Sequence, residues 1–248
     1  MPFLLVASRL SGVFLLTPIL ASLVIPGKVR VLLVGLLAII VYPTVPAAAL
    51  VPVPGDAFGL AIAAVSEVMV GFFVGLLAMM PIAAVQLAGL VMGLQMGFGF
   101  AQIVNPTLET ESDILGEMLL SMALATFLIL GGLESTFLAV CNTFAHIPLA
   151  GFRPDVGLLN LVAATLEAGF ELAIRLSMPL LAIIMLETVA LAFLAKTMPQ
   201  LNILSIGFAV KIILGLAAIL VAGRAMNTAI GDHVVEVGRA LLRFSVGQ

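Results

Sequence analysis

Long apolar runs separated by short polar stretches organise this chain. A helix that crosses a bilayer needs about 20 apolar residues, and six runs approach or exceed that length. They cover residues 3–25, 31–51, 58–85 (with a continuation to 100), 114–133, 166–194 and 203–222. A seventh, shorter pattern follows at 232–244. There Val234, Val235, Val237, Leu241 and Leu242 alternate with Glu236, Arg239 and Arg243, which predicts an amphipathic helix. Pro18, Pro81 and Pro179 fall inside predicted helices. Each removes a backbone donor and tends to kink the helix that holds it. The pattern predicts an all-α fold: a membrane-associated bundle of about six long apolar helices with kinks.

The polar positions inside these runs carry the most information. Arg9 stands in the first run, Glu67 in the third, and Glu167, Glu171, Arg175 and Glu187 in the fifth. A charge at bilayer depth costs a few kcal/mol or more. Such residues are therefore expected against partner subunits, or paired there or within the chain. Glu171 and Arg175 are spaced i, i+4 and can pair on one helix face. Pro199, Gln200 and Asn202 form a polar break between the last two long runs, and Lys211 follows inside the sixth. Such groups at bilayer depth are expected to face a protein partner or a water-filled path.

Gly89, Gly93 and Gly97 are spaced four apart, with Gln95 between them and Gly71 and Gly75 upstream. Small residues at that spacing let helix backbones approach closely in membranes. Two polar stretches, 101–117 and 142–160, interrupt the apolar pattern. The first contains Gln102, Asn105, Pro106, Glu109, Glu111 and Asp113, flanked by methionines that can seal around irregular shapes.

Composition narrows the class. Of 248 residues, 63% are hydrophobic and 9% charged, against about 25% charged in a soluble domain. The net charge of −3 gives no basis for nucleic-acid binding. Cys141 is the single cysteine, so an internal disulfide and a cysteine-based metal cluster are excluded. His146 and His233 lie far apart with no HExxH pattern, no GxSxG occurs, and Gly97–Phe98–Gly99–Phe100 lacks the GK[ST] ending of a phosphate loop. No catalytic residue, metal site or cofactor is expected. Arg9 lies within the first apolar run rather than ahead of it, unlike a signal peptide. Trp is absent and Tyr42 is the only tyrosine, so the aromatic belt of lipid-facing proteins is missing. Charge asymmetry gives conflicting orientations. Lys28, Arg30 and Lys196 agree across six spans, whereas Arg224, Arg239 and Arg243 would need the C-terminus on the same side.

Three blocks of residues carry a family resemblance. Near the start are Arg9-x-x-Gly12, Pro18, Ile25–Pro26 and Val29–Arg30. In the middle are Gly93-x-Gln95-x-Gly97, Ala101 and Asn105–Pro106. Near the end stands Pro199–Gln200–Leu201–Asn202–Ile203–Leu204 with Gly207–Phe208 and Lys211. In this order they resemble the FliR family of the type III secretion export gate, over nearly the whole chain. Where the family usually has Asp-Pro, this chain has Asn105–Pro106, which removes a charge and puts any acid–base role there in doubt. The last block is shared with the injectisome counterpart of the family, except that Gly207–Phe208 is more flagellar in character.

The resemblance implies a non-enzymatic subunit of a larger helical channel assembly. Residues 1–140 would form a FliP-like part, and 141–248 a FliQ-like hairpin with the C-terminal amphipathic helix. The implied partners are FliP and FliQ, the large export-gate subunits FlhB and FlhA, membrane lipid and unfolded flagellar substrates, but no nucleic acid. The implied place is the bacterial inner membrane at the flagellar basal body. The 101–117 stretch is the expected pore plug. The alternatives are the injectisome subunit and an autonomous transporter, for which broken helices and buried charges also serve.

Overall fold

The computed structural model describes residues 2–21, 25–46, 49, 56–98, 114–198, 200 and 203–246, with the side chains of Ile203, Leu204 and Val246 left aside. Among these the chain forms seven α-helices and no strand. They are α1 (Pro2–Leu16), α2 (Gly27–Val41), α3 (Ala57–Met96), α4 (Ile114–Ile129), α5 (Gly132–His146), α6 (Val156–Thr197) and α7 (Ile203–Val246). A short 3₁₀ turn, Tyr42–Thr44, follows α2. The all-α reading of the sequence holds, and the boundaries differ in ways that have local causes.

The first apolar run was expected to continue to residue 25, but α1 stops at Leu16. Pro18 disfavours helical backbone at the residue before it, and Ile19 turns the chain with a φ of +73°. The second run ends at Val41, where Pro43 tightens the backbone into the 3₁₀ turn. The third takes its longer form: α3 passes through Pro81 and ends at Met96. Asp56 starts it by accepting the Gly59 N–H (2.9 Å), a side-chain cap for an orphan donor.

The fourth run breaks at Gly131, whose φ of +70° is one that glycine adopts without a Cβ penalty. A separate helix, α5, follows and takes in the first residues of the 142–160 polar stretch, which the sequence pattern marks as a break. The helix α6 starts at Val156, ten residues before the expected start. Asp155 caps it by accepting the Leu158 N–H (2.9 Å). The expected short helix at 232–244 is continuous with the sixth run, and together they form the 44-residue α7. No proline lies between Ile203 and Val246, so nothing in the backbone stops the helix where its pattern turns amphipathic.

The chain divides into two compact units. One comprises Met1–Pro81, Phe127–Glu167 and His233–Gln248, and the other Ile82–Thr126 and Ala168–Asp232. In the first, α1 buries Leu5, Val6, Arg9, Leu10 and Val13 along one face, at the i, i+4 spacing that places residues one above another. Phe14 meets Phe137, and Phe73 meets Phe152, with ring centroids 6.4 and 6.1 Å apart. In the second, Leu172, Leu176, Leu180 and Ile184 of α6 are buried, as are Ile219, Met226 and Ile230 of α7.

Among the described residues, four helical segments are long and apolar enough to cross a membrane: Gly27–Thr44, Ala57–Met96, Val156–Thr197 and Ser205–Ser245. The broken pair α4 and α5 makes a fifth if it counts as one span.

Candidate functional site

The best-defined polar site is in the first unit, where α1 and α3 touch through glycine. A Cβ on Gly12 would lie 3.0 Å from the Gly71 Cα, and one on Gly71 would lie 2.8 Å from the Val13 amide nitrogen. Neither fits without a shift of backbone. Gly75 repeats the approach one turn on, where a Cβ would meet the Val13 carbonyl oxygen at 3.0 Å. This close seam brings Arg9, one turn before Gly12, onto Glu67, one turn before Gly71.

Both side chains are fully shielded from solvent (0% exposed). Arg9 Nε donates to Glu67 Oε2 at 2.6 Å, Nη1 donates to Thr143 Oγ1 at 3.1 Å, and Nη2 donates to the Ile147 carbonyl at 3.1 Å. The guanidinium carbon lies 4.4 Å from the centre of the Phe144 ring, within the range of cation–π attraction. Glu67 Oε1 accepts the Ala150 N–H at 2.8 Å. Thr143 passes its own proton to the Val140 carbonyl (2.6 Å), which leaves its oxygen free to accept from Arg9. Desolvating two charges costs several kcal/mol each, and only good geometry with additional hydrogen bonds offsets it. Those bonds are present here.

The network joins α1, α3 and α5 to the turn that follows α5. That turn is strained: Ala150 has a φ of +59°, at a cost of about 1–3 kcal/mol for a non-glycine residue. The Glu67 carboxylate holds its amide in place.

In the second unit, Gly97 ends α3 with a φ of +90°, and the Phe98 N–H bonds back to the Gly93 carbonyl (3.1 Å). A Cβ on Gly97 would lie 2.6 Å from Cε1 of Phe208, so the ring seats directly on this glycine. The Met96 side chain packs on Gly215 of α7 in the same way. Gly89 packs on α4, where a Cβ would lie 2.9 Å from the Gly116 amide nitrogen. Gly93 is buried. All three glycines of the spaced series thus sit in packed surroundings.

In the second unit, facing stretches of α6 and α7 line a cavity of about 320 Å³, with Thr188, Leu191, Gly207, Phe208 and Lys211 among its walls. Lys211 is half-buried there. Next to Thr188, Glu187 is 6% exposed, and its Oε1 has no hydrogen-bond partner among the described residues. Its other oxygen accepts a long bond from Thr188 Oγ1 (3.3 Å).

The remaining sequence-predicted residues are dispersed. Gln95, Glu171, Arg175 and Gln200 are exposed. Among the described residues, Glu171 and Arg175 form no ion pair despite their spacing; Arg175 instead edges a small groove with Pro179 and Asp232. Gln102, Asn105, Pro106, Glu109, Glu111, Asp113, Pro199 and Asn202 lie outside the described residues. Sequence reasoning did not identify Thr143, Phe144, Ile147 or Ala150. Two of these contribute only backbone atoms, and no side-chain pattern encodes that. Among the described residues, no group of three His, Cys, Asp or Glu side chains could hold a metal ion.

A helical protein with several segments apolar enough to cross a membrane and a buried, internally paired charge is the class these features define. The family model described as "Bacterial export proteins, family 1" matches residues 1–237, and the chain belongs to that family. It is similar to the flagellar biosynthetic protein FliR of Bacillus subtilis, 30% identical over 222 residues, covering 88% of this chain and 85% of that protein. It is also similar to FliR of Escherichia coli (29% over 203 residues; 81% and 76% covered). The Yop proteins translocation protein T of Yersinia pestis matches at 26% over 212 residues, covering 84% and 80%.

Proposed function

We propose that this chain helps to form and plug a channel through which unfolded flagellar proteins leave the cytoplasm. The chain is a type III export-apparatus subunit of the flagellar kind. One observation carries that reading: the export-family match runs from residue 1 to 237. The recognition blocks lie throughout this range, up to Lys211.

The chain performs no chemistry of its own in this account. Energy comes from the proton motive force and a partner ATPase. The chain assembles with FliP and FliQ subunits and contacts FlhB and FlhA in the inner membrane, at the flagellar basal body. Its first part, 1–140, acts as a FliP-like unit, and 141–248 as a FliQ-like hairpin. Exposed apolar side chains along α6 and α7, among them Phe170, Ile174, Met185, Phe193, Leu220 and Val221, support a role as a subunit covered by other helices or lipid. The charged Glu171 and Arg175 on the same exposed surface favour protein partners over lipid, because lipid solvates charge poorly.

The 101–117 stretch is the plug. Deleting residues 104–113 makes the assembled channel conduct small ions. Conductance at the intact level in the assembled complex would remove the plug assignment.

The similarity to the Yop translocation protein keeps an injectisome role as the second reading. Restored motility in a strain lacking its flagellar counterpart supports the flagellar role. Restored injectisome secretion without motility supports the other.

A further inference from the structure

The strained turn after α5 forms one wall of a second cavity in the first unit. Its volume is about 690 Å³. Ile147 and Pro148 come from the turn, Phe152 and Arg153 from the connection to α6, Leu158 from the first helical turn of α6, and Arg243 and Phe244 from the end of α7. The wall is preorganised. Arg9 fixes the Ile147 carbonyl, Glu67 fixes the Ala150 amide, and the Gly151 N–H closes the turn on the Pro148 carbonyl at 3.0 Å.

The charges around this cavity do not balance. Arg153 and Arg243 are exposed at its edge, and neither forms an ion pair among the described residues. Asp155 also lines it, but its Oδ1 is engaged by the Leu158 N–H (2.9 Å) as the helix cap. His146 is at the edge too, with Nδ1–H donating to the Asn142 carbonyl (3.1 Å). Apolar side chains also line the cavity: Leu158 is buried, and Ile147, Phe152 and Phe244 are partly so.

We propose that this cavity holds the phosphate of an anionic phospholipid, with Arg153 and Arg243 clasping the headgroup and the apolar walls taking the start of an acyl chain. Guanidinium groups suit phosphate because their paired N–H donors match its oxygens. A free inorganic ion would gain nothing from the Ile147, Phe152 and Phe244 surfaces, whereas an amphiphile uses both halves of the site. The site also lies where α6 begins and α7 ends, and both helices carry segments apolar enough to cross a membrane.

Native mass spectrometry of the full chain, purified in detergent with whatever subunits accompany it, tests this. Phosphatidylglycerol is titrated against phosphatidylcholine and inorganic phosphate. A Lys or Arg near an anionic lipid surface contributes about 1 kcal/mol, or about fivefold. The expected result is tighter binding of phosphatidylglycerol than of phosphatidylcholine, a fall of about fivefold in R153Q or R243Q, and about twenty-five-fold in both together. R153K/R243K, which keeps the charge, retains most of the binding, and R224Q, outside the cavity, behaves as the parent. Undiminished phosphatidylglycerol binding in the folded double glutamine variant overturns the site. Full displacement of the lipid by millimolar inorganic phosphate overturns the lipid as ligand, and displacement by poly-glutamate at low concentration assigns the cavity to an acidic polypeptide instead.

Discussion

The backbones at Gly12 and Gly71 meet so closely that a Cβ on Gly12 would stand 3.0 Å from the Gly71 Cα. Gly12 belongs to the Arg9-x-x-Gly12 block, and the contact explains why the two residues go together. The glycine sets the separation of α1 and α3, and that separation lets Arg9 reach Glu67. An alanine at either position forces the helices apart. Overpacking costs about 1–3 kcal/mol, and stretching the buried ion pair adds to it. Gly12→Ala and Gly71→Ala should therefore lower the thermal midpoint of the purified protein by several degrees. Gly35→Ala in α2, where a Cβ meets nothing within 4 Å, should leave it unchanged or raise it, since alanine favours helix by up to about 1 kcal/mol.

Removing one member of the buried pair should be worse than removing both. Glu67→Ala leaves the Arg9 charge buried without its counter-ion and frees the strained Ala150 amide, at a cost of about 3–5 kcal/mol. The double variant Arg9→Met/Glu67→Leu removes both charges and should recover a large part of that loss, because apolar replacement of a buried pair is often neutral or better. Thermal unfolding of the three proteins side by side checks this. A double variant less stable than the single one would show that the hydrogen bonds to Thr143, Ile147 and Ala150 outweigh the charge penalty.

At the end of α3, Gly97 meets two separate demands. Its φ of +90° excludes most side chains, and the Phe208 ring occupies the space a Cβ would need. Gly97→Ala should destabilise the second unit by at least about 1–2 kcal/mol. Adding Phe208→Ala should relieve the steric share but not the backbone share. A double-mutant cycle on thermal stability then gives a coupling between positions 97 and 208, and complete additivity would contradict the contact.

Much of the fold is legible in the sequence, because apolar runs of this length leave little choice beyond helix. The prolines and glycines mark where helices stop: Pro18 ends α1 early and Gly131 separates α4 from α5. Polarity alone does not break these helices: α5 and α7 both run on through polar positions. The 142–160 stretch includes the last turn of α5 because the Thr143 hydroxyl is satisfied by Arg9 and Val140, so a polar residue costs little there. The pattern change near Asp232 predicts a new helix, yet a change of environment does not interrupt a backbone that has no proline there. Arg9 and Glu67 stood out singly as charges in apolar helices. Their pairing, 58 residues apart in sequence, is a tertiary fact that no local spacing encodes.

Helix length also bears on the conflicting charge signals. At 1.5 Å per residue, the 15-residue α1 is about 22 Å long, short of a hydrocarbon core of about 30 Å. The helices α3, α6 and α7, of 40, 42 and 44 residues, run about 60–66 Å, twice that thickness. Helices of both kinds do not alternate across a bilayer as equal spans, so loop charges need not report a simple in-and-out order.

Lys211 lines the 320 Å³ cavity from α7, close in sequence to the Phe208 contact. Lys211→Ala should weaken assembly with partner subunits more than it alters ion conductance of the complexes that do form. Native electrophoresis of the extracted complex, alongside motility, separates the two effects. A normal complex with motility lost would point to a direct part in transport.

The central claim is that this chain is one subunit of a hetero-oligomeric export channel. The most direct measurement is the composition and mass of what a tag on this chain recovers from detergent, with and without co-expression of the neighbouring reading frames. The account predicts a discrete complex containing other apolar helical subunits when they are present, and poor recovery of the chain alone. A stable monomer or homo-oligomer of the same mass under both conditions, with nothing bound, would contradict it.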